Sequence, residues 1–217
     1  MRRRAIHRTI VALCAFVLGA CAAGGSASVE EANRKYGERD YKTAARLYAK
    51  ACKGKNGDAC TRLGGMYLRG DGVDQSDATA AQFFERGCAA GDPLGCLTIG
   101  RAYLDGQGVP KDDARATQAF ERGCELHHVG ACTELAVSRW RGRGVSKNPA
   151  QAKQELEKYC ARQHANACFH LGVLLRMGDR GVPKNPRGAR QALDRACKLG
   201  HLESCAYLEK HGATLGG

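Results

Sequence analysis

Cysteine is the residue type with the most chemical potential in this sequence, at 12 of 217 residues. Ten of the cysteines form five pairs whose members lie eight positions apart, and successive pairs recur after 36, 36, 36 and 37 residues. The pairs are Cys52 with Cys60, Cys88 with Cys96, Cys124 with Cys132, Cys160 with Cys168, and Cys197 with Cys205. So many thiols fit an oxidising compartment better than a reducing cytosol.

Two kinds of chemistry can use such pairs. Structural zinc sites favour Cys-x2-4-Cys spacings, which seven intervening residues do not match. A disulfide is sterically reasonable, because each pair joins the end of one predicted helix to the first turn of the next. Closing so small a loop is expected to stabilise the fold by about 2 to 3 kcal/mol per bridge. The spacing therefore favours disulfides over metal, and we expect neither a metal site nor a cofactor.

The other two cysteines lie in the N-terminal segment. Four arginines before residue 10 precede an apolar stretch, residues 9–18, which is too short to span a membrane and has the layout of an export signal. The string Leu18-Gly19-Ala20-Cys21 then resembles a bacterial lipobox. We interpret residues 1–20 as a lipoprotein signal peptide, Cys21 as the lipidated first mature residue, and 21–28 as a flexible tether. An ordinary signal peptide or an uncleaved anchor is the alternative.

Other features of the sequence repeat in the same register as the cysteines. A Gly-x-Gly-Val turn occurs once in each of three units, and the fourth has Gly178-Asp179-Arg180-Gly181-Val182, whose extra residue accounts for the interval of 37. Each unit is predicted to contain two helices, the first starting near the second cysteine of a pair. The second helix starts at an N-cap residue and carries an apolar stripe at positions i, i+4 and i+8. These N-caps are Ser76, Asp112, Asn148 and Asn185.

One such helix pair cannot bury its apolar stripe alone, so stacking of the units is expected. The predicted fold is all-α, a right-handed α/α solenoid of disulfide-bridged helix pairs. The array is placed at residues 29–211, with a partial first unit at 29–53, four full units at about 54–199 and a capping helix at about 202–211. Residues 212–217 are expected to be a tail.

The pattern Leu-Gly-x-x-Tyr-x-x-Gly-x-Gly-Val, then Lys-Asp or Lys-Asn-Pro, then Ala-x-x-x-Phe-x-x-x-Cys resembles the Sel-like repeat (SLR) family, a relative of tetratricopeptide repeats. The cysteine-containing version is similar to the Helicobacter cysteine-rich protein type, in which each helix pair carries a disulfide. Some departures put local packing of the third and fourth units in question. Arg139 and Leu175 stand where the family has an aromatic residue, Trp140 is displaced by one position, and Ala136 replaces a glycine.

Members of the cysteine-rich type are often named β-lactamases, so the resemblance also implies binding of penicillin or peptidoglycan fragments. A serine enzyme of that class needs Ser-x-x-Lys on a helix. The third residue after Ser76, Ser138, Ser146 and Ser204 is Thr, Arg, Pro and Tyr, respectively. With every mature cysteine bridged or lipidated, no thiol is left for catalysis. We therefore predict no catalytic residue and favour a protein that is not an enzyme; if it is one, the family name points to a β-lactamase-like hydrolase.

A column of polar residues stands four positions after the first cysteine of each pair. Its members are Asn56, Asp92, His128, His164 and His201. We interpret them as polar residues near helix starts. A pH-sensitive or metal-attracting edge is the alternative, although neighbours a full repeat apart are too distant to share one ion.

The resulting hypothesis is an exported, lipid-anchored interaction scaffold of the bacterial cell envelope, in the outer membrane and facing the periplasm or the cell surface. Removal of residues 1–20 lowers the formal charge from +12 to +8, which would suit an acidic protein or peptide partner. We expect a monomer that contacts the membrane through its lipid and binds no nucleic acid. The binding residues are predicted on the concave, first-helix face: Arg62, Met66, Arg69, Arg101, Asp105, Arg141 and His170. The alternative is a β-lactamase-like protein or a binder of penicillin or peptidoglycan fragments.

Overall fold

The computed structural model describes residues 28–211. The predicted signal peptide, Cys21, nearly all of the tether and the tail lie outside these described residues. The helices are α1 (28–37), α2 (Tyr41–Lys53), α3 (Gly57–Arg69), α4 (Asp77–Ala89), α5 (Pro93–Asp105), α6 (Asp113–Glu125), α7 (Val129–Arg141), α8 (Pro149–Ala161), α9 (Ala165–Met177), α10 (Pro186–Lys198) and α11 (Leu202–His211). Within 28–211 the β-structure is limited to an isolated bridge between Asp179 and Val182, and no helix of that range is both long and apolar enough to cross a membrane.

The helices stack as consecutive antiparallel pairs. Each helix packs on the next one along the chain, and α3, α5, α7 and α9 also pack on one another in series. These four helices and α11 are called the first helices. The helices that follow them, α4, α6, α8 and α10 (the second helices), have fewer contacts with one another. Closer approach on one side curves the stack, so the first helices line its concave side. The predicted all-α solenoid of disulfide-bridged helix pairs is confirmed.

Helix ends follow the local signals in the sequence. The side chains of Ser76, Asp112, Asn148 and Asn185 accept backbone N–H groups in the first turns of the second helices, as predicted. The first helix α5 ends at Gly106, which has a left-handed φ of 74°. Gly108 of the same turn lies so close to α4 that a Cβ there would be 2.1 Å from the Asp77 carbonyl oxygen. The second glycine of the turn therefore permits close packing between neighbouring units.

The core runs continuously between the two layers of helices. Second helices contribute the predicted stripe, including the buried Phe84, Phe120 and Leu156. Glycines on the first helices admit these side chains, and a Cβ on Gly100 would lie 2.4 Å from Cε1 of Phe120. In the third unit Ala136 lies in the same buried cluster as Leu156. Ala136 is fully buried in a unit that has leucine where the two preceding units have phenylalanine.

The other departures of the third and fourth units are also accommodated. Arg139 forms an ion pair with Glu155 at 2.8 Å, and Leu175 is buried in the core. Trp140 is buried as well, and its indole Nε1 donates a hydrogen bond to Asp179 in the loop with the extra residue. The packing that the sequence had put in question is therefore intact.

All five cysteine pairs are bridged. Each disulfide joins the end of a second helix to the first turn of the following first helix, with Cα–Cα distances from 4.4 Å at Cys88–Cys96 to 4.8 Å at Cys197–Cys205. None of the cysteines in residues 28–211 is then a free thiol. Because a bridge spans each junction between units, the disulfides tie one unit to the next along the whole array.

Candidate binding face

The concave face is formed by residues at i, i+4, i+7 and i+11 of the first helices, which lie on the side away from the buried stripe. By this register it comprises Asp58, Arg62, Gly65 and Arg69 on α3, Leu94, Thr98, Arg101 and Asp105 on α5, Gly130, Glu134, Val137 and Arg141 on α7, and Asn166, His170, Val173 and Met177 on α9. Most of these side chains are exposed or half-buried, whereas Val137 is buried. The face thus carries both charged and apolar groups.

Six of the seven predicted binding residues fall on this register. Met66 is the exception: its side chain is 1% exposed and packs in the cluster formed with α1 and α2, where it also lines the groove described next. Met66 lies one position from Gly65, and a step of one residue rotates a helical side chain by about 100°. That rotation takes it from the concave face into the core.

A groove of about 370 Å³ opens at the N-terminal end of the concave face. Its walls include Tyr36 of α1, Tyr48 of α2 and Leu94 of α5. Arg69 donates to Asp71 at 2.7 Å and to the Tyr36 hydroxyl at 3.0 Å. Burial acts to raise the pKa of Asp71, but the hydrogen bonds from Arg69 and Tyr36 outweigh it and hold that pKa below its ordinary value. The rim of the groove is therefore a fixed, charge-paired frame around apolar walls.

Charges on the face are paired both within a helix and between units. Arg101 of α5 donates to Glu134 of α7 at 2.6 Å, and Arg62 binds Asp58 within α3 at 2.7 Å. By contrast, Arg141 lies over the Trp140 ring at 5.5 Å, and burial together with the nearby Arg143 lowers its pKa. The positive charge of Arg141 is thus less well compensated than those of Arg62 and Arg101.

Two large apolar side chains are exposed on the same face. Leu94 at the start of α5 is 50% exposed, and Met177 at the end of α9 is 55% exposed. Between them His170 is half-buried, its Nδ1 has no hydrogen-bond partner, and burial lowers its pKa to about 4. At neutral pH the imidazole is therefore uncharged, and its Nδ1 is a buried acceptor without a partner.

The polar column predicted near the helix starts is a column of N-caps. Asn56 and Asp92 accept backbone N–H groups in the first turns of α3 and α5. His128, His164 and His201 do the same through Nδ1 at 3.2, 3.3 and 3.2 Å. Within the described range, no three His, Cys, Asp or Glu side chains are grouped to hold a metal ion. The interpretation as helix-start residues is confirmed.

Two serines are buried in helices, and one of them lies close to a histidine. Ser138 is buried in α7, and Ser204 is fully buried in α11 with its hydroxyl 3.0 Å from Nδ1 of His201. This distance resembles that between a nucleophile and its base. However, the same Nδ1 accepts the Ser204 backbone N–H, and a substrate carbonyl has no access to a fully buried hydroxyl. The pair caps a helix and is not arranged for acyl transfer.

Sequence reasoning missed several residues of the face. Glu134 occupies the same repeat position as Arg62 and His170, so aligning the units would have found it. Leu94 lies at the Asp58 position and Met177 at the Arg69 position by the same alignment. Tyr36 has no such signal, because its place depends on how α1 packs against α3.

The family model for the Sel1 repeat matches the chain five times, at residues 32–56, 57–92, 94–128, 129–154 and 165–201. No curated protein sequence matches the chain significantly.

Three solved structures illustrate the likeness. A protective antigen of uropathogenic Escherichia coli strains that displays an SLR fold is 27% identical, with a TM-score of 0.80, and the match covers 89% of this chain and 42% of that one. This chain thus spans less than half of the antigen. A Sel1 repeat protein from Oxalobacter formigenes is 26% identical, with a TM-score of 0.73, and covers 84% and 74%. Helicobacter pylori cysteine rich protein B is 29% identical, with a TM-score of 0.47, and covers 59% and 92%.

Proposed function

Because the chain belongs to the Sel1 repeat family, we propose that it is a non-enzymatic scaffold that binds a protein or peptide partner along its concave face. The observation that carries this proposal is the exposure of Leu94 and Met177 on the face that also holds the groove of about 370 Å³. A concave groove with apolar walls and a polar rim is typical of a binding site. An extended segment crossing the first helices would bury both side chains at once.

The charges of the face suggest an acidic partner. Arg62 and Arg101 are already neutralised by Asp58 and Glu134, so they fix the shape of the face rather than attract ligands. Arg141 is under-compensated, and a partner carboxylate beside it would gain a charge-assisted hydrogen bond.

We also propose a cellular location for the scaffold. Five disulfides suit an oxidising, extracytoplasmic compartment. Residues 1–20 would direct export, Cys21 would carry acyl chains in the bacterial outer membrane, and 21–28 would tether the monomeric array at the periplasmic or outer surface, with 212–217 as a tail. Labelling cells with an alkyne fatty acid tests the anchor: the protein should be labelled, and Cys21→Ser should abolish the label. An unlabelled wild-type protein would remove the anchor from the proposal.

Site-specific photocrosslinking in intact cells tests the binding face. A benzophenone amino acid at Thr98, on the concave face, should capture a defined partner, whereas the same probe at the exposed Gln118 of the second helix α6 should not. Leu94→Asp with Met177→Asp should prevent capture. Leu126→Asp is the matched control, since Leu126 is 37% exposed and lies at the end of α6. Capture from Gln118 alone, or capture that survives the double change, would refute the concave site.

The β-lactam alternative has a direct assay. Purified protein is expected neither to hydrolyse nitrocefin nor to gain the mass of an acyl adduct with penicillin, because no serine of the sequence has a lysine three positions later to activate it and Ser138 and Ser204 are buried. Turnover that a single serine substitution abolishes would replace the scaffold proposal with an enzymatic one.

A further inference from the structure

The N-caps of the first helices differ between the two halves of the array. Asn56 and Asp92 cap α3 and α5, whereas histidine caps the next three junctions, at α7, α9 and α11. Asparagine and aspartate are among the preferred N-caps, and histidine is not. Three successive histidines at this position therefore make the C-terminal half chemically distinct in a role that the N-terminal half fills with ordinary caps.

A histidine can serve as a cap only in one protonation state. Nδ1 of His128 accepts the N–H of Ala131, and Nδ1 of His164 accepts that of Ala167. Acceptance requires an unprotonated Nδ1, with the proton on Nε2. A second proton removes the acceptor, leaves a helix N–H without its partner and puts a positive charge at the positive end of the helix dipole. Asn56 does not titrate, and aspartate side chains ordinarily remain ionised at about pH 5.5.

The histidine caps also contact the neighbouring unit. His164 Nδ1 lies 3.3 Å from Oγ1 of Thr133 on α7, and the His201 ring stacks on Phe169 of α9 at 4.3 Å between centroids. The histidine caps are therefore also part of the contacts between units. In the N-terminal half the equivalent contact involves no histidine: the Thr61 hydroxyl donates a hydrogen bond to Asp92 at 2.5 Å.

Some groups around the capping histidines disfavour their protonation and others favour it. Around His164, burial disfavours the charged form most, His128 of α7 and Arg101 of α5 oppose it further, and Glu134 of α7 favours it. Glu134 is engaged by Arg101, which reduces its pull on the histidine. His201 faces the titratable His170 of α9 and the Ser204 hydroxyl of its own helix. For His128, the titratable neighbour across the unit boundary is His164, and His127 precedes it in the loop.

We propose that mild acid releases the histidine caps of α7, α9 and α11 and loosens the C-terminal half of the solenoid, while α3 and α5 remain capped. The array would then respond to pH, with the helix starts of its N-terminal half unchanged and those of its C-terminal half opened by acid. The disulfides keep the loosened units tethered to one another. This response requires no partner, so it stands whether or not the concave face binds one.

Hydrogen exchange with mass spectrometry on the oxidised protein tests the proposal at about pH 7.5 and about pH 5.5, after correction for intrinsic exchange. Amides in the first turns of α7, α9 and α11 should lose protection by up to about tenfold at the lower pH, the limit for one histidine whose ordinary pKa is about 6.5. Those of α3 and α5 should change much less. The triple variant His128→Asn, His164→Asn, His201→Asn keeps a capping side chain without titration and should abolish the difference between the halves.

A second variant separates the caps from the other buried histidine. His170→Gln should leave the acid-induced opening of α7, α9 and α11 in place. Equal loss of protection in all first helices, persistence of the opening in the triple variant, or its disappearance in His170→Gln would each overturn the proposal. Should the triple variant not fold, nitrogen NMR of the wild-type imidazoles decides: at about pH 7.5 all three must have an unprotonated, hydrogen-bonded Nδ1, and a protonated Nδ1 would refute the mechanism.

Discussion

The indole Nε1 of Trp140 donates a hydrogen bond to Oδ2 of Asp179 at 3.1 Å. The tryptophan is displaced from the repeat pattern, and the aspartate lies in the turn that has one extra residue. The same carboxylate accepts from Lys147 at 2.9 Å, and the hydrogen bond from Lys147 is the main reason that the pKa of Asp179 is lowered. The displaced tryptophan of the third unit thus finds its hydrogen-bond acceptor in the lengthened turn of the fourth unit.

Replacing Asp179 should therefore destabilise the junction between the third and fourth units. Asp179→Ala removes the acceptor of the buried indole N–H, which should cost about 1 to 2 kcal/mol of unfolding free energy in urea. Because Trp140 is the single tryptophan of the chain, its fluorescence should shift to the red. Asp194→Ala removes an exposed ion pair with Lys198 and should leave the fluorescence unchanged. Equal effects of the two changes would show that the Trp140–Asp179 bond has no special role.

Gly100 should not tolerate a side chain. A Cβ there would lie 2.4 Å from Cε1 of Phe120, so Gly100→Ala is expected to cost about 1 to 3 kcal/mol through overpacking. Adding Phe120→Leu, which copies the Ala136 and Leu156 combination of the third unit, should recover part of that loss in a double-mutant cycle. Gly65→Ala is the control, because its Cβ would meet only the flexible end of Arg69. Additive costs at positions 100 and 120 would contradict the steric explanation.

Each disulfide should contribute measurably to stability. Cys88→Ser with Cys96→Ser opens one bridge and is expected to lower the unfolding free energy by about 2 to 3 kcal/mol in the chain-entropy model. The change should lower the melting temperature of the oxidised protein, whereas under reducing conditions the variant and the wild type should melt at similar temperatures. In the oxidised, unfolded wild type, maleimide should label none of the ten paired cysteines. Labelling of two or more of them would contradict the pairing.

Burial of His170 should make the fold sensitive to acid. Its pKa is lowered from 6.5 to about 4, so the unfolded chain binds this proton more readily than the folded one. The contribution to stability is therefore complete above about pH 6.5 and is lost as the pH falls toward about 4, with a loss of about 2 kcal/mol at pH 5. Urea unfolding from pH 7 to 4.5 should show a smaller acid-induced loss in His170→Gln than in the wild type. Parallel pH profiles would mean that another group dominates.

Much of the fold was predictable because its signals are local. The N-caps at Ser76 and Asp112, the turn glycines and the spacing of Cys88 from Cys96 each involve residues within about two helical turns, and the structure has them as predicted. The binding face was less predictable. Arg62 and Arg101 lie on the concave register as predicted, whereas Met66 lies one position off that register and is buried; their role in binding stays a prediction.

The contacts between units could not be obtained in this way. The sequence alone determined the repeat, the helix ends and the disulfide partners, because capping, turn geometry and closure of short loops depend on neighbours along the chain. The tertiary structure decided that Arg101 meets Glu134, that Trp140 meets Asp179 and that the His201 ring stacks on Phe169. These partners lie a repeat or so apart, and the rotation and offset between stacked helix pairs, which arise from the packing of the whole core, bring them together.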